Sequence, residues 1–238
     1  MHISQIFISD SGATMGPQLE EAASAIKRLF KDYIYTLYGA EEIYELISKK
    51  FSHDVLRAYE SLAPYAYKAD LARYCILYEH GGWYFDIGMR HAGTVVGVDS
   101  NTSVIAFRDI NRYSLTNYAC DNCIIYAKAR HASLAKAIEL IINNVNNKFY
   151  GQTPLCPTGP SLWGRALAIT GIDSGVLFGD AIELTPNHKR KNKAMVLPDG
   201  TILAYKKPSG GGDLRSLGAR GTNNYNIFWH KKRVYTHQ

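Results

Sequence analysis

The sequence is poor in cysteine and contains no long apolar run. Four cysteines in 238 residues (Cys75, Cys120, Cys123 and Cys156) are too few for a disulfide framework, which indicates a reducing compartment. No apolar run approaches the roughly 18 to 20 residues that a membrane span needs, and the amino terminus lacks a basic segment followed by an apolar core. We therefore expect a cytoplasmic protein that is neither integral to a membrane nor secreted.

One pair of cysteines has the spacing of a motif. Cys120-Asp121-Asn122-Cys123 is a lone CxxC, without a second CxxC or a paired histidine motif. Its functional interpretation would be a redox pair or half of a zinc site. We favour the structural interpretation, in which both cysteines are ordinary thiols.

Acidic residues are scarce in the last fifth of the chain. Residues 188–238 carry 11 Lys and Arg against 2 Asp and Glu, whereas residues 1–187 carry 16 against 19. A basic excess of this kind suits nucleic acid, anionic lipid or the phosphates of a small ligand. We expect no nucleic-acid partner, because the basic residues lack an interleaved recognition motif. The basic run 188–193 reads first as a solvated loop and second as a patch for an anionic membrane surface.

The pattern of apolar residues predicts alternating strands and helices in a single globular domain. Strands are expected at 3–8, 33–38, 83–87, 103–107 and 122–127, helices at 18–31, 41–51, 53–62, 65–80, 131–147 and 161–169 (the last capped by Ser161), and short strands at 176–178, 181–184, 195–197, 202–205 and 225–229. This order predicts an α/β fold with a mainly parallel central sheet and a small C-terminal β region. The glycine-rich residues 208–221 have few large apolar side chains and are expected to form a mobile loop.

A carboxylate and a guanidinium lie three residues apart on the helix expected at 65–80. Asp70 and Arg73 therefore share one face of that helix. Gly81-Gly82 ends the helix and leads into an apolar strand that finishes at Asp86, which puts this carboxylate at the edge where open α/β sheets bind ligands. Asp86 could there bind a Mg²⁺ or Mn²⁺ ion that bridges two phosphates. The alternatives are an ordinary surface ion pair on the helix and an aspartate that only closes a turn.

The segments KADLARY (Lys68–Tyr74) and LYEHGGWYFD (Leu77–Asp86) resemble the signature of the family 32 glycosyltransferases, whose sugar-binding region contains a DXD motif. Ile3–Ile8, Cys120–Ala127 and Thr158–Pro160 resemble the same family in the same order. The resemblance implies one GT-A domain over residues 1–238. Residues 1–130 would form its nucleotide-sugar-binding part, and residues 131–238 its acceptor and lid part. The loop 208–221 would be the lid, and a plain linker is the alternative that its composition allows equally well.

The resemblance also implies roles for individual residues. Asp70 and Arg73 would contact the hydroxyls of the donor sugar or its diphosphate, and Phe7 would stack on the nucleotide base. Tyr84 would belong to the same donor site. Asp86 would be the first acid of the DXD motif and a catalytic residue.

The sequence departs from the family at the second acid of that motif, because Gly88 stands where the direct metal ligand is expected. Either Asp86 and a C-terminal ligand still hold Mn²⁺ or Mg²⁺, or cationic side chains carry part of the stabilisation of the departing diphosphate. His230 is the candidate ligand and Lys231 the candidate cation. The alternative for His230 is an ordinary surface histidine.

The family is retaining, and two routes to retention stay open. A same-face route needs mainly stabilisation of the diphosphate, whereas double displacement needs a carboxylate or amide nucleophile, for which Asp121 or Asn122 could face the anomeric carbon. We favour the same-face route and count both residues as candidate catalytic residues.

The implied activity is the transfer of a hexose from a nucleotide sugar to a glycan or a lipid-linked acceptor. A UDP-sugar is the favoured donor and GDP-mannose the other. The expected context is the synthesis of bacterial surface polysaccharide, such as capsule, by a cytoplasmic enzyme that is peripheral to the inner face of the membrane. The alternative function is a non-catalytic sugar-nucleotide-binding protein with a degenerate DXD motif.

Overall fold

The structure is a computed structural model that describes residues 1–11, 13–93, 97–110, 116–184, 193–206 and 211–236. Its strands are β1 (His2–Ile6), β2 (Ile34–Tyr38), β3 (Gly82–Phe85), β4 (Met89–His91), β5 (Val104–Ile110), β6 (Cys120–Ala127), β7 (Val176–Glu183), β8 (Lys193–Val196) and β9 (Ile202–Lys206). Its α-helices are α1 (Pro17–Leu29), α2 (Ala40–Lys50), α3 (His53–Ser61), α4 (Tyr65–His80), α5 (Ala132–Asn146), α6 (Pro160–Thr170) and α7 (Tyr225–His230), and Leu214–Leu217 form a 3₁₀ helix. The first six helices lie within two residues of their expected bounds.

The strands form a mixed sheet, in the order β2-β1-β3-β6-β5-β7-β8-β9-β4 among the described residues. Only the pairs β1–β2, β1–β3 and β5–β7 are parallel, and the other five pairs of neighbours in this part of the chain are antiparallel. The α/β class is confirmed, and the expectation of a mainly parallel sheet is wrong. The connections β5–β6, β7–β8 and β8–β9 have at most nine residues, fewer than the dozen or so that a parallel crossover requires. The expected C-terminal β region is present as β7–β9, which extend the same sheet.

Three local expectations are also wrong. Residues 225–229 form helix α7 and not a strand, because the Asn224 side chain accepts hydrogen bonds from the backbone N–H groups of Asn226 and Ile227 and so caps a helix. Helix α6 begins at Pro160 after Gly159, so Ser161 is not its cap. The strands expected at 176–178 and 181–184 are one continuous strand, β7, and the short strand β4 was not foreseen.

The glycine pair after α4 allows the chain to turn and to approach β1 closely. Gly81 and Gly82 both have positive φ, at 64° and 91°. A Cβ atom on Gly82 would lie 2.2 Å from the carbonyl oxygen of His2, so no larger residue fits while β3 pairs with β1. The pair thereby delivers β3, and the Asp86 that follows it, directly beside the helix that carries Asp70 and Arg73.

Alternation along β3 divides the core between the two faces of the sheet. Trp83 and Phe85 are buried with Ile26 and Phe30 of the α1 segment, whereas Tyr84 is buried with Tyr74 and the other apolar residues of α4. Side chains two residues apart in a strand share a face. Asp86 therefore follows Tyr84 toward α4.

The C-terminal segment is partly packed. Residues 208–210 of the expected mobile loop lie outside the described residues, as do residues 188–192 of the basic run 188–193. Leu217 and Ala219 are buried against Leu19 and Ile87, so the expectation that 208–221 has too few apolar residues to pack is wrong for its later part. No helix within the described ranges is long and apolar enough to cross a membrane.

The two cysteines of the CxxC are free thiols on β6. Cys120 is buried with the apolar residues of α4, α5 and α6, and Cys123 with those near α1. Residues three apart in a strand point to opposite faces. The pair therefore serves two halves of the core, which agrees with structural thiols.

Candidate active site

Asp86 lies at the carboxyl end of β3, between α4 and β6. Its Oδ1 accepts a hydrogen bond from the Tyr84 hydroxyl at 2.9 Å and lies 2.9 Å from Nη1 of Arg73. The Arg73 guanidinium also stacks on the Tyr84 ring, at 4.6 Å from its centroid. The Asp86 side chain keeps 30% of its surface exposed, whereas that of Arg73 keeps 5%. The partly exposed carboxylate is thus oriented by two buried side chains.

The Asp70–Arg73 pair is a buried network and not a surface ion pair. Nη2 of Arg73 lies 2.9 Å from Oδ1 of Asp70, which also accepts a hydrogen bond from Nδ2 of Asn122 at 2.8 Å. The hydroxyl of Thr158 donates to the second carboxylate oxygen at 2.7 Å. Burial raises the pKa of Asp70, although the Arg73 guanidinium and the two hydrogen bonds oppose this. The network joins α4, β6 and the turn before α6.

A second set of charged side chains lies beside Asp86. Nζ of Lys206 lies 4.0 Å from Oδ2 of Asp86 and 3.4 Å from Oδ1 of Asp121. Nζ of Lys193 lies 3.1 Å from Oδ2 of Asp121 and also binds Asp109. Acidic and basic side chains therefore alternate in the order Asp86, Lys206, Asp121, Lys193 and Asp109. Asp121 lies between two ammonium groups.

The two lysines keep Asp121 ionised. Burial opposes its ionisation, but Lys206 and Lys193 outweigh burial and hold the pKa of Asp121 well below its usual range. Asp121 has the matching effect on Lys206, whose pKa lies well above its usual value in spite of burial. Both groups are charged at neutral pH.

Two cavities meet at Asp86. The small cavity, of about 120 Å³, lies beside β1 and the 3₁₀ helix and is lined mainly by apolar residues, including Phe7, Ile87 and Leu217. The large cavity, of about 670 Å³, extends toward α6 and α7. Both cavities share five lining residues, which are Ala66, Arg73, Asp86, Lys206 and Gly212.

Most of the residues expected in the site lie around these cavities. Phe7 and Tyr84 line the small cavity, Asp70 and Asn122 line the large one, and Arg73 and Asp86 line both; among the described residues these six therefore lie close together. Asp121 is 1% exposed and does not line either cavity, so it lies behind the lysines and is not exposed to a reacting carbon.

His230 and Lys231 lie elsewhere. They occupy the carboxyl end of α7, are exposed, and line neither of these two cavities. The neighbouring Trp229 indole donates to the carbonyl oxygen of Tyr150, which holds this end of the helix against another surface. The structure therefore does not bring the expected ligand and cation to Asp86.

Lys206 and Lys193 are the site residues that the sequence analysis missed. Both belong to the basic C-terminal fifth of the chain, and Lys206 directly follows the strand expected at 202–205. A lysine at the end of an apolar strand is a weak signal. Only the folded chain shows that β8 and β9, which are not neighbours of β6 in the sheet, bring their lysines to Asp121.

The fold and this site define a class of protein. A family model described as the glycosyltransferase sugar-binding region containing the DXD motif matches residues 17–104, a stretch that contains Asp70, Arg73 and Asp86. The match supports an enzyme of the glycosyltransferase class.

The same match bears on the family. It confirms, over residues 17–104, the resemblance to the glycosyltransferases whose sugar-binding region contains the DXD motif. No curated protein matches the sequence.

One solved structure agrees with this assignment at the level of the fold. One titled "PaToxG Glycosyltransferase" is similar to this chain with a TM-score of 0.54 at 18% sequence identity, over 73% of this chain and 70% of that one. A second, titled as a glycosyltransferase involved in the glycosylation of the major capsid of PBCV-1, covers 76% of this chain and 82% of its own at 8% identity. Its TM-score of 0.41 is too low to support an argument.

Families with the DXD motif commonly use a divalent cation, and the residues present here fit such an ion poorly. Within the described ranges, no three His, Cys, Asp or Glu side chains are grouped to hold a metal. Oδ1 of Asp86 already accepts from Tyr84 and Arg73, and Oδ2 faces the Lys206 ammonium. Gly88 offers no side-chain oxygen. The single available carboxylate oxygen therefore faces a cation that would repel a metal.

Proposed function

We propose that this enzyme is a retaining glycosyltransferase of the GT-A type, which moves a hexose from a nucleotide sugar to a glycan or a lipid-linked acceptor. The observation that carries the proposal is the meeting of the two cavities at Asp86, Arg73 and Lys206. One cavity is largely apolar and the other is lined by many polar side chains, which suits a donor and an acceptor that react at their junction.

The nucleoside of the donor is assigned to the small cavity. Phe7 supplies an aromatic face there, and an aromatic side chain of this kind stacks on a base. The sugar then points into the large cavity, toward the network of Asp70 and Asn122. The diphosphate between them lies at the shared residues. A UDP-sugar is our favoured donor, and GDP-mannose is the other.

The reaction breaks the bond between the anomeric carbon and the diphosphate oxygen, and the diphosphate leaves with the electron pair. The acceptor hydroxyl oxygen bonds to the anomeric carbon on the same face, and its proton passes to the departing diphosphate oxygen. Asp121 is enclosed by Lys193 and Lys206, which favours this same-face route over one with Asp121 as nucleophile. We assign Asp121 a positioning role, in which it holds the two lysines at the cavities. Asn122 is assigned to the orientation of Asp70, to which it donates a hydrogen bond.

The wider functional assignment is part of the same proposal. Residues 1–130 would bind the nucleotide sugar, residues 131–238 would bind the acceptor, and the segment 208–221 would cover the donor and exclude water. The basic C-terminal fifth would contact an anionic membrane or an anionic acceptor. We place the enzyme at the inner face of a bacterial membrane, in the synthesis of surface polysaccharide.

The test is release of nucleotide from a panel of UDP- and GDP-sugars by the purified protein, with and without candidate glycan acceptors. We expect release from one donor, and a loss of about 100-fold or more in the Asp86→Asn variant, because that carboxylate lies at the junction of the cavities. Asp180→Asn is the matched control, since Asp180 pairs with Arg108 at the surface and should leave turnover unchanged. Equal turnover of Asp86→Asn and the wild type would refute the assignment of the site.

A further inference from the structure

We propose that the Lys206 ammonium binds the diphosphate of the donor and supplies the positive charge that a divalent cation supplies where both acids of a DXD motif are present. This inference rests on the proposed function, because it names the group that receives the leaving diphosphate in the same site. It predicts a transferase whose nucleotide binding does not depend on a metal.

Lys206 lies at the junction where that charge is needed. It is the last residue of β9, which pairs with β8 and with β4, and its side chain lines both cavities. About a third of the side chain is exposed. Among the described residues that line both cavities, Arg73 is the other cation.

Arg73 is already committed to protein partners. Its Nη1 contacts Asp86 and the carbonyl oxygen of Asn122, its Nη2 contacts Asp70, and its Nε donates to the carbonyl oxygen of Ala69. Through these contacts the guanidinium links α4 to the residues that follow β3 and to β6. A ligand at the junction therefore meets Lys206 as the accessible cation.

Lys206 retains donor capacity for a ligand. An ammonium has three N–H donors. In the described part of the chain its contact within hydrogen-bond distance is Asp121 at 3.4 Å, and Asp86 at 4.0 Å lies beyond that distance. The Asp121 carboxylate also contacts Lys193, so it is shared between two ammonium groups. Phosphate oxygens could bind the remaining N–H groups with charge-assisted hydrogen bonds.

The surroundings of Gly88, which stands where the second acid of the DXD motif is expected, also agree with this inference. A Cβ atom on Gly88 would lie 3.5 Å from Leu217 Cδ1 and 3.8 Å from Leu19 Cδ2, so this position borders apolar side chains. The lysine faces the carboxylate oxygen of Asp86 that a metal would otherwise use. At this oxygen of Asp86, the Lys206 ammonium takes the place of a metal ion.

The experiment measures binding of UDP and GDP to the full chain by titration calorimetry, in EDTA and in Mn²⁺, with uridine and guanosine as probes that lack the diphosphate. We expect one diphosphate to bind in EDTA, with a change of less than about threefold on addition of Mn²⁺. Lys206→Met should weaken that binding about 10- to 100-fold and leave binding of the nucleoside unchanged. Lys206→Arg should stay within about fivefold of the wild type, because it keeps the charge.

Lys49→Met is the control, because Lys49 forms an exposed ion pair with Glu45 on α2 and lines neither cavity. Binding of the diphosphate only in Mn²⁺, or equal binding by Lys206→Met and the wild type in EDTA, would overturn the inference and leave the proposed function intact. Should Lys206→Met fail to fold, the metal dependence of the wild type decides alone. If no nucleotide or nucleoside binds under any of these conditions, the proposed function fails and the inference fails with it.

Discussion

Replacing Asp121 by asparagine removes the carboxylate that lies between two lysines. Asp121 is 1% exposed and lies 3.1 Å from Nζ of Lys193 and 3.4 Å from Nζ of Lys206. Asparagine has nearly the same shape and can still accept the hydrogen bond that the backbone N–H of Cys123 donates to Oδ1. The substitution therefore deletes the charge with little change in packing.

The expected loss follows from leaving buried charges without their partner. Removing one member of a buried pair costs about 3 to 5 kcal/mol, and the lower end applies here because Lys193 keeps Asp109 and Lys206 keeps Asp86. About 3 kcal/mol corresponds to a decrease of about 6 to 12 °C in melting temperature for a chain of this size. The pKa of Asp121 is lowered in the folded state, so this stability is fully present above the carboxyl pKa of the unfolded chain, about 4, and is lost as the pH falls below it.

Thermal melts of the wild type, Asp121→Asn and Asp180→Asn at pH 7 and pH 3.5 make the comparison. The Asp180–Arg108 pair has side chains 28% and 55% exposed, so its loss should cost about 1 kcal/mol or less. We expect the deficit of Asp121→Asn to shrink at pH 3.5, where the wild-type carboxylate begins to lose its advantage. A deficit no larger than that of the control at pH 7 would refute the role of Asp121 in holding the lysines.

Three further predictions concern the glycine turn, a partly buried histidine and the buried arginine. Gly82→Ala should unfold at clearly lower urea concentration than the wild type, because its Cβ would meet the His2 carbonyl oxygen at 2.2 Å and φ is positive; an unchanged midpoint would contradict the close approach of β3 to β1. Partial burial lowers the pKa of His91 to about 4, so the folded chain favours the neutral imidazole and stability is lost as the pH falls from about 6.5 toward 4. His91→Phe should remove this part of the pH dependence in denaturant titrations, and an identical slope would show that another group carries it. Arg73→Lys should lower kcat/KM about 10-fold or more in the nucleotide-release assay, because lysine cannot bridge two carboxylates and stack on a ring as the guanidinium does; activity within twofold would show that this bridge is not needed.

Local patterns in the sequence were sufficient to predict much of the fold. Helices α1 to α6 were predicted because their apolar residues recur with helical spacing and because glycine or proline bounds several of them. The sheet was less predictable, since a strand does not record which neighbour it pairs with. Its mixed character comes from β6 and β8, each of which enters the sheet antiparallel to both neighbours.

The last helix shows how local chemistry can mislead. The aromatic and β-branched residues at 225–229 indicate a strand, but the Asn224 cap starts a helix there. Because the element is a helix and not a strand, His230 and Lys231 lie at its exposed end and away from Asp86. The sequence pattern contained both signals, and only packing of Trp229 against the Tyr150 segment shows which one prevails.

By itself, the sequence determined the part of the site that is local along the chain: Asp70 and Arg73 on one helical face, the glycine pair that ends that helix, and Asp86 at the end of the next strand. These relations hold within 17 consecutive residues and depend on helix and strand periodicity alone. Only the tertiary structure decided that Lys206, 120 positions after Asp86, lies beside it, and that Asp121 is enclosed by lysines. The reason is physical, because the charge that surrounds a carboxylate depends on which side chains the folded chain brings together. Lys206 ends a strand that neighbours neither β3 nor β6 in the sheet, so no one segment records its approach to Asp86 and Asp121.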